Sequence, residues 1–462
     1  MARDVVAAYT PRAWRSTSVM FGPVRHSVRA RSSGWRTYSQ GRYRPFHGIA
    51  IGQSFVGALA SDAIFVPLLL ALGASGAFVM FVGALPAAGS ALQGVFPALL
   101  RRANGDLRRL TLLFACFELR GLVLAAIVGA VALGALPPDA AVIAIAVVVA
   151  VGQTAGIISG ANIAAWTAAV LPDKERRLVG PRTGAIAVGL GAVLLLPAAR
   201  LVDASPAGAA RLWMYAVLTA IGGTAALLTL VSVRHLPRPG RITVPLDAAR
   251  AKAPVPFREF LRVSVLNSAG GGLVPYLGVY AITILHCSPG FVIMLAGLNS
   301  FASLIASLSA GAFLAGGSAS RLHRASFIAR AAACGICLAA FPGNGAAPLL
   351  LVAGSVLFAV GYSTGTLAQN ERLFRMVSGP SIIACQGKFL AANGVAQSAG
   401  SMVTAAALAV SQSYPVYAVI FVSSAAARVV ASAAMNVSST WHSAPTAAAA
   451  SEPEMARRSI GA

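Results

Sequence analysis

Asp62, Glu118, Arg120 and Arg428 are ionisable side chains placed well within long apolar runs of this 462-residue chain. A charged group at the centre of a bilayer costs roughly 2.5–3.5 kcal/mol on insertion scales, so each of the four needs a partner or a task. Asp62 lies fifteen residues into a run that begins near residue 47. That is about 22 Å along a helix rising 1.5 Å per residue, past the midplane. A carboxylate there suits a proton carrier or a counter-charge for a cationic solute; a structural ion pair or a hydrated cavity wall are the other readings. Glu118 and Arg120 are two residues apart, so on an α-helix they point to nearly opposite faces and do not easily pair. Arg120 is expected to reach Asp62 or a backbone carbonyl of a neighbouring helix, and Glu118 to be hydrated near the inner surface. Arg428, in the inner part of the last run, can snorkel.

Soluble-enzyme chemistry finds no footing. Gly361-Tyr362-Ser363-Thr364-Gly365 matches the Gly-x-Ser-x-Gly pattern, but that elbow needs a strand-to-helix turn and a His partner, and this copy lies in an apolar run. Cys334 and Cys337 have Cys-x-x-Cys spacing without a second pair or a His at metal spacing. No Gly-x-x-x-x-Gly-Lys-Ser/Thr loop is present for nucleotide phosphates. The five cysteines all fall in or beside apolar segments, a usage that fits packing and argues against a disulfide framework. No metal, no cofactor and no enzymatic activity are expected.

The elements that must position these residues follow from composition. The chain is 57% hydrophobic and only 11% charged, against roughly a quarter charged in ordinary globular proteins. The excess recurs from about residue 47 to about residue 436. A bilayer core is crossed by roughly 20 apolar residues of helix. Windows bounded by charge, Pro and Gly give twelve spans, near 47–72, 75–100, 110–134, 140–170, 183–203, 211–233, 263–286, 290–316, 327–342, 347–370, 387–411 and 414–436. The runs are continuously apolar, as in Ala141 to Val151, so helices and not an alternating barrel are expected.

The formal charge of +23 would suggest nucleic acid in a soluble protein. Here the cations sit between apolar runs. With both termini inside, 32 of the 36 Lys and Arg residues fall in cytoplasmic segments, Arg200 and Arg211 fall outside, and Arg120 and Arg428 lie within spans. So strong a positive-inside bias sets the orientation and removes nucleic acid as a partner. The organisation expected is a basic cytoplasmic tail (1–46), an N-terminal six-helix bundle (47–233), a Pro-rich cytoplasmic linker (234–262), a C-terminal six-helix bundle (263–436) and a disordered tail (437–462). Two six-helix sets joined by a long inner loop are what repeats related about the membrane normal produce.

One local stretch sharpens this. Trp166-Thr167-Ala168-Ala169-Val170-Leu171-Pro172-Asp173-Lys174-Glu175-Arg176-Arg177, followed by Gly180-Pro181-Arg182, is loosely repeated by Asn370-Glu371-Arg372-Leu373-Phe374-Arg375 through Gly379-Pro380 to Lys388. Ten residues separate Pro172 from Arg182, and ten separate Ser378 from Lys388. With the layout of two six-helix halves, this resembles the major facilitator superfamily across residues 47–436. The loop Arg101-Arg102-Ala103-Asn104-Gly105-Asp106-Leu107-Arg108-Arg109 has the charges of that superfamily's Gly-x-x-x-Asp-Arg-x-Gly-Arg-Arg signature in another order. A lone Pro197 stands where multidrug antiporters often show Gly-Pro, so no subfamily is implied.

The resemblance implies that helices 1, 4, 7 and 10 line a central cavity. The polar and aromatic residues on those spans are then the candidates for substrate contact: Gln53, Gln153, Asn162, Trp166, Asn267, Tyr276, Tyr280, Tyr362 and Gln369. Asp62, Arg120 and Glu118 are the candidates for proton coupling, and Arg176, Arg177, Arg182 and Lys388 for the loops that move. The expected function is alternating-access transport of a small organic molecule across a bacterial plasma membrane, as a monomer and with proton-coupled export as the first reading. A facilitator or importer of a sugar, amino acid or peptide is the alternative, and a membrane-embedded enzyme stands behind both.

Overall fold

The computed structural model describes residues 43–95, 98–99, 102, 106–171, 173–236, 255–271, 273–315, 319–376 and 381–437. The N-terminal tail up to residue 42, most of the linker and the C-terminal tail lie outside the described residues, as do the side chains of Arg176, Arg177, Arg182 and Tyr276. Among the described residues every regular element is helical, and nine helical stretches there are long and apolar enough to cross a bilayer.

The first half runs α1 (Arg44–Leu59), α2 (Asp62–Ala71), α3 (Gly76–Gly89), α4 (Leu107–Ala115), α5 (Arg120–Ala132), α6 (Pro138–Val170), α7 (Asp173–Ala204) and α8 (Ala209–His235). The second runs α9 (Val255–Ala269), α10 (Leu273–Thr283), α11 (Pro289–Ala315), α12 (Ala319–Leu338), α13 (Ala347–Met376), α14 (Ser381–Val410) and α15 (Tyr414–Val437). Local chemistry sets several of these ends. Ser75 caps α3 by accepting from the Phe78 N–H at 3.2 Å, and Asp106 caps α4 by accepting from the Arg109 N–H at 3.0 Å. Gly134, at φ 72°, turns the chain after α5.

Two expected single spans are broken. The first divides at Ala60–Ser61 into α1 and α2, and the seventh divides at Gly270–Gly271 into α9 and α10. The third is continued through a 3₁₀ turn, Cys116–Leu119, between α4 and α5.

Small residues let the rods approach. A Cβ on Gly121 would stand 2.5 Å from the Thr219 carbonyl and 2.6 Å from the Gly223 nitrogen, so α5 and α8 touch backbone to backbone. On α13, Gly361 and Gly365 face Ser326 and Arg330 of α12 in the same way. The Gly-x-Ser-x-Gly pattern is therefore a pair of packing glycines at i and i+4. Cys334 and Cys337 are free and buried in α12, and the Cys337 sulfur lies where a Gly354 side chain would need to go.

Between the halves, α7 packs along α11 and α3 packs along α14. These are the fifth span against the eighth and the second against the eleventh, so exchanging corresponding helices of the halves turns one pair into the other. That is the signature of two repeats about a shared axis. The outer surface is ringed by exposed apolar side chains such as Ile143, Val193, Val217, Leu308, Val403 and Val419. So large an exposed apolar area marks a lipid-facing belt.

The buried core is uneven along that axis. At the end away from the basic loops, one cluster joins both halves, with Val66, Leu69 and Val202 packed with Leu277, Ile293 and Tyr417. At the basic end the core splits in two. Phe46, Leu107, Trp166 and Val233 belong to the first half alone, and Phe257, Phe327, Leu373 and Phe389 to the second. The halves are thus sealed together at the far end and have separate cores at the basic end.

Candidate transport and coupling site

The break in the first span creates the site. Ser61 is extended (φ −130°, ψ −177°), so α2 restarts at Asp62, and the break leaves the Ala60 carbonyl in need of donors. Arg120 supplies them: Nε and Nη2 both point at the Ala60 oxygen at 3.4 Å, while Nη1 donates to the Gly152 carbonyl at 3.0 Å. The same Nη1 meets Glu118 Oε2 at 2.8 Å in an ion pair whose two side chains are 8% and 6% exposed.

The pairing of Glu118 with Arg120 corrects the expectation that they face apart. Two α-helical residues at i and i+2 are about 160° apart around the axis. The 3₁₀ turn winds three residues per turn, which brings that angle down to about 120°. Long side chains then close the gap. Glu118 is also buried and not hydrated as expected: the same turn swings it under α6.

Helix α6 is cut to receive the pair. A Cβ on Gly152 would lie 2.3 Å from Arg120 Cδ, and one on Gly156 would lie 2.9 Å from Glu118 Oε1. Between those glycines Gln153 extends from α6, and its Nε2 donates to Asp62 Oδ1 at 2.9 Å. Asp62, Gln153, Arg120 and Glu118 therefore form one polar cluster built from three spans of the first half. Gly152 and Gly156 were not singled out from the sequence; two glycines four apart around a polar residue, on an otherwise apolar helix, are the signal that points to them.

On its other side Asp62 borders a cavity of about 40 Å³ whose remaining walls include Leu277 and Gly278 of α10, Asn299 of α11 and Ser355 of α13. Ser355 Oγ donates to Asn299 Oδ1 at 2.9 Å. The carboxylate thus stands at the seam between the halves, with polar groups of the second half across a water-sized gap. Asn299 and Ser355 are not among the residues the sequence nominates: Asn299 lies on the eighth span, outside the four that the resemblance points to.

No protein-family model matches this chain, and no curated protein does. Solved structures do. The partially occluded inward-open conformation of the xylose transporter XylE from E. coli aligns with 85% of this chain and 97% of its own, at a TM-score of 0.67 and 12% identity. A D-xylose-proton symporter aligns with 84% and 97%, at 0.64 and 13%. The nucleoside transporter NupG aligns with 86% and 99%, at 0.56 and 15%. The fold is that of the major facilitator transporters.

Within the major facilitator fold the other expected residues disperse. Asn162 is fully buried on α6 with neither amide atom hydrogen-bonded, and Ser159, one turn before, has an equally unpartnered hydroxyl. Trp166 is enclosed in the apolar cluster of the first half's basic end. Gln53 and Lys388 are half-buried. Asn267 is buried with its side-chain oxygen unpartnered, and Gln369 donates to Ser264 Oγ at 3.1 Å, which links α13 to α9. Tyr280 turns into the apolar cluster that joins both halves, where it donates to the Ala340 carbonyl and packs on Tyr417 and Phe421 with centroids 4.9 and 5.5 Å away. Its ring is fully enclosed. Tyr362 is 58% exposed.

Arg428 needs a second correction, since it does not snorkel. It is 1% exposed and donates to the Gly270 and Gly271 carbonyls, both at 3.2 Å, and to the Ser424 carbonyl at 2.7 Å. Its guanidinium also lies over Phe358, 5.1 Å from the ring centre. The break at Gly270–Gly271 presents both carbonyls inside the bundle, and satisfying them outweighs reaching for water.

Proposed function

We propose that this chain is a secondary transporter that carries a small organic molecule across a bacterial plasma membrane by alternating access, coupled to protons through Asp62. The reading places twelve spans in two six-helix halves, with both termini and the basic loops in the cytoplasm. One observation carries it: Asp62 stands at a helix break, held by Gln153 on one side and open to a seam cavity of the opposite half on the other. A carboxylate so placed exchanges one charge for neutrality when it takes a proton, and groups of both halves are near enough to respond. Arg120 and Glu118 hold the break that presents it. Separate cores at the basic end and a joined core at the far end fit a state open toward the cytoplasm.

Export is the direction we propose, on the apolar character of the cavity wall around Asp62. Uptake of a sugar-like solute is the second reading, favoured by the likeness to a D-xylose-proton symporter. The chain is taken to act as a monomer.

Purified protein in proteoliposomes tests the coupling. Asp62→Asn keeps the shape and an acceptor for Gln153 but no longer titrates. It is expected to abolish accumulation driven by an imposed pH gradient while leaving counterflow exchange of the same solute in place. Unchanged pH-driven accumulation would show that the coupling group is elsewhere. A counterflow panel spanning sugars, amino acids and amphiphilic cations separates the two substrate readings.

A further inference from the structure

We propose that Asp203 is a clasp across the two halves, which closes the far end and has to be released before that end can open. Asp203 lies in the last turn of α7, in the first half. Its carboxylate accepts from Ser288 Oγ at 2.7 Å and from the Gly290 N–H at 2.8 Å, both at the start of α11 in the second half. Ser288 Oγ in turn accepts from the Phe291 N–H at 3.1 Å, so the hydroxyl connects the carboxylate to the helix it ends on. Two oxygens on two donors make a directional, charge-assisted joint and not a chance surface contact.

A second observation stands apart from those bonds. A Cβ on Gly290 would lie 2.3 Å from Asp203 Cγ and 2.4 Å from the Ala199 carbonyl. The absence of a side chain at 290 is what lets α7 and α11 close together here. Directly beneath, Gly297 sits against Leu195 and Leu196, and Val202 and Ile293 enter the apolar cluster that spans both halves. The clasp therefore sits at the rim of the seal. In a rocking mechanism this rim must part when the basic end closes, and these bonds favour one side of that equilibrium only. The inference does not depend on Asp62 or on the identity of the solute.

The test reads the halves' separation directly. Spin labels are placed at Ala207→Cys and Gly345→Cys, on far-end loops of the two halves, in the full chain in nanodiscs with Cys116 and Cys287 set to serine. Pulsed dipolar spectroscopy then gives the ratio of open to closed distances. Asp203→Ala is expected to raise that ratio roughly 2- to 30-fold, the range of a lost helix cap. Asp203→Asn, which keeps an acceptor, is expected to fall between that variant and the parent, and Gly290→Ala is expected to open the end by steric displacement. Distance distributions of Asp203→Ala that coincide with the parent would overturn the clasp. Should that variant fail to fold, Ser288→Ala removes the hydroxyl's bond to Asp203 along with its cap on the Phe291 N–H, and decides in its place: a raised open fraction supports the clasp and an unchanged one rejects it.

Discussion

The first helix of each half is broken, and in each half a buried arginine holds the carbonyls at the break. Arg120 serves Ala60 and Arg428 serves Gly270 and Gly271. The partners differ. Arg120 is tied to a carboxylate, Glu118, and the carbonyl it holds lies two residues before a second one, Asp62. Arg428 has carbonyls, the Ser424 hydroxyl, the Cys334 sulfur at 4.0 Å and the Phe358 ring around it. The break in the first half thus has two carboxylates beside its arginine, and the break in the second half has only uncharged groups beside its own.

That contrast can be broken or sharpened by substitution. The largest effect is expected from Arg120→Met, which strands buried Glu118 without its cation. Loss of one partner of a buried pair costs about 3–5 kcal/mol, read as a lowered unfolding midpoint in detergent. Adding Glu118→Gln should recover part of that loss, and no recovery would mean that the pair is not a unit. Gly152→Ala comes next. Its Cβ collides with Arg120 Cδ, and overpacking of this kind costs about 1–3 kcal/mol. Arg428→Met should cost less, about 1–2 kcal/mol for the orphaned carbonyls, because no carboxylate is left behind. A larger loss than in Arg120→Met would erase the difference between the halves. The smallest change in stability is expected from Gln153→Leu, within about 1 kcal/mol. Its signature is kinetic: slower pH-driven transport than the parent, with counterflow retained, if Gln153 orients Asp62.

Much of the site is legible in the amino-acid sequence. Asp62 and Gln153 stand out because polar groups in apolar runs are conspicuous, and the two do meet. The Glu118–Arg120 pairing is hidden by the angular spacing of an ideal α-helix, and the 3₁₀ turn at Cys116–Leu119 resets the phase. Snorkelling is the natural expectation for Arg428 because its distance from the inner surface is visible in the sequence while the broken helix beside it is not. Tyr280 shows a third kind of dependence: its span is visible in the sequence, but the rotation that sets its ring against Tyr417 and Phe421 is not.

Solvent and secondary structure are properties of short windows. Hydropathy and continuous apolar runs therefore sufficed to choose lipid over water and helix over strand. Which polar groups meet is a property of phase and docking. It depends on where helices break, how a turn winds and how the fifth span lies on the eighth. None of these is local in the chain, and a shift of one residue in phase moves a side chain by about 100° around its helix. The tertiary structure alone therefore decided that Asp62 faces a seam, that Asp203 crosses one, and that one apolar core joins the halves at the far end.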